Sequence, residues 1–265
     1  MTRSIIITSG KGGVGKTTTA VNLATAMNSM NEDVTLIDLN LTTPNVGLHL
    51  GAPVVPITLN HVLNGKAELV DAIYEHESGT KIIPSSLSVR ELKKLNHKNL
   101  NSISKDVKKI SDMVIFDGAA GLGQEATSAM ALAEDVIIVT NPEMPSVTDA
   151  LKTAKIAEEM NKNILGVIIT RVKGKRSEMS LQSINEMLEL TILGVVPEDD
   201  NIQEALSMRN AITITHPRSK ASKAYNQIAA KILGKEYKEN DSLFERVMVN
   251  LGLRWLRVQR PMSLS

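Results

Sequence analysis

A run of glycines and lysines at residues 10–17 carries the residue types that hold phosphate groups. Its letters, GKGGVGKT, match the spacing G-x-x-x-x-G-K-[ST] between an apolar run and a stretch with helical spacing. Glycines let successive backbone N–H groups converge on phosphate oxygens, and the helix N-terminus that follows favours negative charge. The lysine can neutralise outer phosphates, and the hydroxyl after it can bind Mg²⁺. We expect the nucleotide phosphates to contact Gly12, Gly13, Val14, Gly15, Lys16, Thr17 and Thr18.

A second candidate for metal binding closes the apolar run at residues 112–117, which reads DMVIFD. An aspartate at the end of a buried strand can hold a Mg²⁺-bound water beside a phosphate loop. We therefore predict that Thr17 and Asp117 form the metal site. An aspartate that only begins a turn is the alternative reading of Asp117, and the neighbouring phosphate loop disfavours it.

Short apolar runs that alternate with longer amphipathic stretches must position these residues. Most of the apolar runs are continuous, as in strands that are covered on both faces. The predicted strands are 5–8, 34–38, 81–84, 113–117, 136–140, 167–170, 192–197 and 212–215, and the predicted helices include 17–30, 124–133, 147–160, 178–188 and 219–233. This order predicts an α/β fold with a mainly parallel sheet, helices on both faces and ligands at the carboxyl ends of the strands.

The composition excludes several classes of protein. The sequence has no cysteine, which excludes disulfides and thiolate zinc or iron–sulfur sites. Its 30 basic and 29 acidic residues nearly balance, which disfavours a protein that coats DNA by bulk charge. Because it has no secretory pattern and no apolar run of about 18 residues, we expect a cytoplasmic protein without a spanning helix.

An additional lysine near the start of the loop, Lys11, points to a particular family. Residues 9–18 resemble the deviant Walker A motif of the MinD/ParA family of P-loop ATPases. The resemblance implies that ATP and Mg²⁺ are the ligands. It also implies that Lys11 and Lys16 both act in catalysis. In the family the early lysine, Lys11 here, reaches across a homodimer to the partner's nucleotide. ATP binding and dimerisation would then depend on each other. A solvated surface lysine is the alternative.

The resemblance extends over residues 3–234. Residues 118–122 resemble the switch II segment of the family, and residues 140–152 favour its MinD-like branch over the plasmid-partition branch. By the same resemblance, contacts to the nucleotide base are expected at the ends of two later strands. The residues predicted for these contacts are Thr170, Arg171, Pro197, Glu198 and Asp199.

One position departs from the family pattern. Relatives usually show Asp-x-Asp after the second strand, whereas this sequence has Asp38 and Asn40. The second aspartate helps to position the attacking water in the family, and a neutral asparagine cannot accept its proton. Losing such a group commonly costs about 10²–10⁴ in rate, so we expect slow hydrolysis unless Asp38 or Gln124 compensates. An asparagine here is also the kind of substitution that would trap an ATP-bound dimer.

The C-terminal segment has its own pattern. We divide the chain into an ATPase domain (1–234), a polar linker (235–241), an amphipathic helix (242–258) and a tail (259–265). The segment 241–265 contains four arginines and two acids, a net charge of +2. An apolar face beside arginines is typical of a helix lying in a membrane interface, although packing on a protein is the alternative. The predicted membrane residues are Phe244, Val247, Met248, Leu251, Arg254 and Trp255.

The sequence therefore predicts a MinD-like ATPase. By resemblance, ATP-dependent dimerisation would control attachment to the inner face of the cell membrane and the positioning of a division site or another structure. The expected partners are a second copy of the chain, an anionic membrane surface and an unidentified regulatory protein, with DNA disfavoured. The alternatives are a ParA-type DNA partition ATPase, a flagellum-number regulator of the same family and a metabolic phosphoryl transferase on the same fold.

Overall fold

The computed structural model describes residues 2–92, 100 and 103–237. Within them the strands are β1 (Arg3–Ser9), β2 (Val34–Asp38), β3 (Tyr74–Glu75), β4 (Lys81–Ile83), β5 (Met113–Ala120), β6 (Asp135–Thr140), β7 (Asn163–Val172) and β8 (Ile192–Pro197). The α-helices in the same residues are α1 (Lys16–Ser29), α2 (Val46–His49), α3 (Leu59–Leu63), α4 (Val89–Leu92), α5 (Ser104–Ile110), α6 (Gln124–Leu132), α7 (Met144–Glu159), α8 (Leu181–Leu188), α9 (Asn201–Ser207), α10 (Ile212–Thr215) and α11 (Lys220–Leu233). A 3₁₀ helix covers Leu69–Ala72.

The strands form one sheet with the order β3-β4-β2-β5-β1-β6-β7-β8. All neighbouring pairs are parallel except β3 with β4. Strand β1 lies between β5 and β6, so the loop that follows β1 emerges near the middle of the sheet. The predicted α/β fold with a mainly parallel sheet is confirmed.

The two faces of the sheet are covered by separate hydrophobic cores, which explains the continuous apolar strands. Ile5 and Ile7 of β1 pack into the core with α1 and α11, whereas Ile6 between them packs into the core with α3, α5, α6, α7 and α8. Successive side chains of a strand point to opposite faces, so a strand that is covered twice has no polar alternation. The predicted helices on both faces are also confirmed.

One predicted strand is wrong, because residues 212–215 form helix α10. Their β-branched side chains favour a strand, but two side chains accept hydrogen bonds from N–H groups at the start of this helix and support the helical form. The Asn210 side chain accepts from the N–H of Ala211 at 2.8 Å, and Asn22 of α1 accepts from the N–H of Thr213 at 3.3 Å. The two-residue edge strand β3 was not predicted.

The compact unit extends to Lys235. The end of α11 is tied to the rest of that unit, since Arg3 donates to the carbonyl of Ile232 at 3.1 Å and Lys235 donates to that of Met30 at 3.0 Å. The predicted amphipathic helix and all its membrane residues lie outside the described residues, so they stay a prediction. No helix in the described part of the chain has the length and apolar character needed to cross a membrane.

Candidate functional site

The phosphate loop connects β1 to α1 and leaves the first turn of α1 open to a ligand. Gly13 and Gly15 have φ values of +78° and +92°, a left-handed region that favours glycine. Gly15 precedes α1, and no side chain caps the helix there. The N–H groups of the first helical turn are therefore available to an anion, as the motif predicts.

Two buried contacts hold this loop in place. Gly10 packs on the backbone of α7 so closely that an added Cβ would lie 2.4 Å from the carbonyl oxygen of Asp149. On the other side, the hydroxyl of Thr170 lies 2.6 Å from the carbonyl oxygen of Val14 and 2.9 Å from Oδ1 of Asn141. The contact of Thr170 with the base stays a prediction, and its buried hydroxyl bonds to the phosphate loop. Its side chain thus positions the loop.

The motif lysine, Lys16, is buried, with only 7% of its surface exposed. Burial lowers the pKa of Lys16, and the negative charge of Asp117 acts in the opposite direction. A cation that has lost much of its water gains strongly from an anionic partner. The Lys16 ammonium is therefore suited to hold phosphate oxygens in this pocket.

Thr17 and Asp117 meet as the sequence predicts. The Thr17 hydroxyl donates to Oδ2 of Asp117 at 2.6 Å, whereas Oδ1 of Asp117 is buried without a partner among the described residues. Burial raises the pKa of Asp117 to about 6, against the effects of the Thr17 hydrogen bond and the Lys16 charge. A buried, unpaired carboxylate oxygen beside a threonine hydroxyl fits Mg²⁺ or one of its waters. Asp117 lies inside β5 and does not end it, since the strand continues to Ala120.

Asp38 faces Asp117 across neighbouring strands, but its carboxylate serves the loop that follows β2. Its Oδ1 accepts from the N–H of Asn40 at 3.1 Å, and its Oδ2 accepts from the N–H groups of Asn45 and Val46 at 2.9 and 3.0 Å. Burial, followed by the charge of Asp117, raises the pKa of Asp38 well above its ordinary value. The carboxylate of Asp38 is thus engaged in shaping residues 39–45. This does not favour the possibility that Asp38 takes over the proton-accepting role that Asn40 cannot perform.

The side chain of Asn40 is also committed to this loop. Its Oδ1 accepts from the N–H of Thr43 at 3.3 Å and from the Thr43 hydroxyl at 3.1 Å. A backbone N–H can only donate, so the amide oxygen must be the atom that faces Thr43. The amide NH₂ is then the group that Asn40 can offer to another molecule. A donor cannot take a proton from water, which agrees with the expectation of slow hydrolysis.

Lys11 lies outside the buried part of the loop. Its side chain is 45% exposed, and its Nζ lies 3.7 Å from Oε2 of Glu143, which is itself exposed. An exposed pair of this kind is held weakly because water competes for both charges. The placement agrees with a lysine that can leave its own subunit, and the contact to a partner stays a prediction.

Three of the residues predicted for base contacts lie together at the ends of β7 and β8. Val172 pairs with Pro197, and the N–H of Glu198 donates to the carbonyl of Val172 at 3.0 Å. Arg171, which precedes Val172, has the left-handed φ of +55° and an exposed side chain. These contacts to a base stay predictions.

Asp199 has a structural role within the chain, and its predicted contact to a base stays a prediction. Its Oδ2 accepts from the N–H of Ala221 in the first turn of α11 at 3.2 Å, and its Oδ1 accepts from the N–H of Asn201 at 3.1 Å. Burial acts to raise the pKa of Asp199, but these hydrogen bonds outweigh it and hold the pKa below its ordinary value. Asp199 therefore ties the loop after β8 to the N-terminus of α11.

The sequence did not point to Glu125, which reaches across to the loop that follows β2. Its carboxylate accepts from the N–H of Thr42 at 2.9 Å and from the Thr42 hydroxyl at 2.6 Å. Neither residue belongs to a motif, and they lie 83 positions apart in the sequence. The one available signal was an acidic residue in the first turn of α6, which helix N-termini favour in general.

Comparisons with known proteins agree with this geometry. Residues 5–212 match the family model of the CobQ/CobB/MinD/ParA nucleotide binding domain. An uncharacterised ATP-binding protein of Methanocaldococcus jannaschii is 37% identical over 237 residues, which cover 89% of this chain and 90% of that protein. The antiactivator FleN of Pseudomonas aeruginosa is 31% identical, with 86% of this chain and 85% of FleN covered.

A solved structure extends the likeness to the fold. The septum site-determining protein MinD of Pyrococcus horikoshii, in complex with Mg-ADP, has a TM-score of 0.84 and 35% identity. The match covers 88% of this chain and 96% of that chain. The chain therefore belongs to the CobQ/CobB/MinD/ParA family and is a MinD-like member of its P-loop nucleotide-binding proteins.

Proposed function

We propose that this chain is a MinD-like ATPase in which Mg-ATP drives formation of a homodimer. The dimer attaches to an anionic membrane surface through the predicted helix 242–258 and recruits a regulatory protein that positions a division site or another cellular structure. ADP returns the chain to a monomer that binds the membrane weakly. The protein is therefore cytoplasmic and peripheral at the inner face of the membrane.

The observation that carries the proposal is the pairing of Thr17 with Asp117 beneath an open helix N-terminus. Lys16 supplies positive charge, the N–H groups of α1 supply donors, and the unpaired Oδ1 of Asp117 supplies an acceptor. The described residues contain no group of three or more His, Cys, Asp or Glu side chains suited to a metal. A cation here would take ligands from Thr17, from phosphate oxygens and from waters held by Asp117, as in phosphate-loop ATPases.

The chain's own residues perform the reaction by binding and positioning. Lys16 and the loop N–H groups hold the β- and γ-phosphates, and Thr17 and Asp117 hold the metal side of the nucleotide. Bound Mg²⁺ would stabilise negative charge on the phosphates during transfer to water. Asn40 donates from its NH₂ group and accepts no proton, so the attacking water lacks a base at this position. The protein should therefore stay ATP-bound for longer than relatives that carry an aspartate.

The exposed position of Lys11 supports the proposed dimerisation. Its weak pair with Glu143 leaves the ammonium free to exchange one carboxylate for the phosphates of a partner's nucleotide. ADP offers fewer negative charges for that exchange, so the dimer depends on ATP. A dimer carries two tails, and the second tail binds at a high effective concentration once the first is attached. Membrane affinity then follows the nucleotide state.

A regulator of the antiactivator type is the second candidate, favoured by the similarity to the antiactivator FleN. Such a protein shares the nucleotide pocket and differs in the partner that it recruits. The partner, and with it the structure that is positioned, separates the two candidates.

Co-sedimentation of the full chain tests the proposal. Vesicles that contain phosphatidylglycerol and linear duplex DNA are each mixed with the protein and Mg²⁺, with either ATP or ADP. We expect vesicle binding that is several times stronger with ATP than with ADP, and weak DNA binding with both nucleotides. Lys16→Ala should remove the effect of ATP. Equal vesicle binding with ATP and ADP would contradict the proposal, and ATP-dependent DNA binding would favour a partition ATPase.

A further inference from the structure

We propose that Glu125 is a positioning residue for the ATPase reaction, because through Thr42 it fixes the loop that carries Asn40 to helix α6. The two loops that follow β2 and β5 would then move as one unit. This inference rests on the proposed ATPase function for its effect on turnover. The link between the loops is a feature of the protein without nucleotide.

The geometry of the link is bidentate. Oε1 of Glu125 accepts from the N–H of Thr42 at 2.9 Å, and Oε2 accepts from the Thr42 hydroxyl at 2.6 Å. Two parallel bonds to a charged acceptor restrict both distance and orientation more strongly than a single bond does. Thr42 is therefore held in a defined place relative to the first turn of α6.

Thr42 and Glu125 lie in two neighbouring loops at the phosphate pocket, so the link between them can affect the reaction. Strands β2 and β5 are neighbours, so the loops that follow them emerge side by side at the phosphate pocket. Thr42 lies two residues after Asn40, and Glu125 lies eight residues after Asp117. A displacement of either loop is thus transmitted to the other through the Glu125 carboxylate.

The remaining hydrogen bonds of residues 40–45 come from within the same segment of the chain. Asp38 binds the N–H groups of Asn40 and Asn45 from the base of the loop, and Asn40 binds Thr43 inside it. The carbonyl of Asn45 also bonds to His49 in the adjoining helix α2. Among the described residues, the hydrogen bonds to Glu125 are those that tie residues 40–45 to an element distant in the sequence. Leu41 also packs in the hydrophobic core that contains Ala129 and Met130 of α6, so without Glu125 the loop keeps its internal turn and this packing. What it loses is the fixed position of Thr42 on the first turn of α6.

A purely local role for Glu125 is the competing explanation. An acid in the first turn of a helix is stabilising whatever it contacts, because of the helix dipole. That role predicts that Thr42 has no part in the effect of Glu125. The positioning role predicts that the two residues act together, which a double-mutant cycle detects.

The test combines hydrogen exchange with steady-state kinetics on the full chain. Thr42→Val removes the hydroxyl donor, Glu125→Ala removes both acceptors, and Thr42→Ser keeps the donors. Thr127→Val is the matched control, since Thr127 lies on the same helix and, among the described residues, its hydroxyl donates to the carbonyls of Gly123 and Gln124 and not to Thr42.

Without nucleotide, we expect faster exchange in residues 39–45 and 118–125 for Thr42→Val and Glu125→Ala. With Mg-ATP, we expect kcat to fall about tenfold or more with KM within about twofold, because a misplaced group impairs the transition state more than binding. The double variant should be no slower than Glu125→Ala alone. Thr42→Ser and Thr127→Val should resemble the wild type.

Three results would overturn the inference. These are unchanged exchange in residues 39–45, independent effects of the two substitutions, or a rise in KM without a fall in kcat. A wild-type chain that neither binds nor hydrolyses ATP would refute the proposed function. The double-mutant cycle measured by hydrogen exchange would still decide whether Glu125 and Thr42 couple the loops.

Discussion

Replacing Asp117 with asparagine should strengthen the fold and weaken the function. Both effects come from the same buried carboxylate, which accepts one hydrogen bond from Thr17 and leaves Oδ1 unpaired. An asparagine can still accept from the Thr17 hydroxyl and carries no charge. The ligand-free variant should therefore be more stable than the wild type at neutral pH, although it has lost a residue of the metal site.

The size of the effect follows from the pKa of Asp117, which is raised from 3.8 to about 6. A carboxyl group whose pKa is higher in the folded state destabilises the fold as it ionises. The penalty is absent below pH 4, grows between pH 4 and pH 6, and is complete above pH 6. Each pKa unit corresponds to about 1.4 kcal/mol, so the full penalty is about 3 kcal/mol. Loss of the Asp117 charge also relieves its repulsion of Asp38.

Urea denaturation without nucleotide, at pH 5 and at pH 8, measures this penalty. We expect the free energy of unfolding of Asp117→Asn to exceed that of the wild type by up to about 3 kcal/mol at pH 8, and by clearly less at pH 5. Asp199→Asn is the control with the opposite sign, because hydrogen bonds lower the pKa of Asp199 and its ionised form stabilises the fold. That control should lose the same stability at pH 8 and at pH 5, because the stabilising charge of Asp199 disappears only below about pH 4.

Titration with a fluorescent ATP analogue completes this test. Asp117→Asn should weaken Mg-dependent nucleotide binding by about 10- to 100-fold, the usual effect of losing a group that orients metal ligands. A variant that is less stable than the wild type at pH 8, or one that binds Mg-nucleotide normally, would refute the reasoning about this carboxylate.

The remaining predictions concern turnover, the phosphate loop and the tail. Asn40→Asp should accelerate single-turnover hydrolysis by about 10-fold or more, since it restores a proton acceptor; an unchanged rate would show that position 40 does not limit turnover. Gly10→Ala should lower stability by about 1–3 kcal/mol in thermal unfolding, because the new Cβ would meet the carbonyl of Asp149. A Cβ at Gly12 would meet no atom within 4 Å, so Gly12→Ala should leave the thermal stability unchanged. Truncation after residue 240 should abolish vesicle co-sedimentation while ATP-dependent dimerisation persists, and retained vesicle binding would place the membrane contact elsewhere.

The centre of the fold could be predicted from the sequence because its signals are local. A continuous apolar strand, a glycine-rich loop and a helix follow one another around residues 5–29, and each element restricts the next. Asp117 could be placed for the same reason, since it closes an apolar run and the phosphate loop implies a metal. The spacing of residue types within each of these elements is enough to predict it.

The contacts between distant segments could not be predicted in this way. The β-branched run at residues 212–215 favours a strand, whereas hydrogen bonds to the side chains of Asn210 and of Asn22 on another helix support a helix there. The base contacts predicted for Thr170 and Asp199 came from resemblance and stay predictions, but the resemblance did not reveal that their side chains bond to the phosphate loop and to α11. The link between Thr42 and Glu125 joins two loops that only the folded sheet brings together.

The central claim is that Mg-ATP makes this chain a dimer through Lys11. Size-exclusion chromatography with light scattering, on the wild type and Lys11→Ala with Mg-ATP or Mg-ADP, tests it most directly. We predict a wild-type dimer with ATP, a wild-type monomer with ADP, and a Lys11→Ala monomer with both nucleotides although it still binds ATP. A wild-type mass that is the same with ATP and ADP, or a normal ATP dimer of Lys11→Ala, would contradict the account.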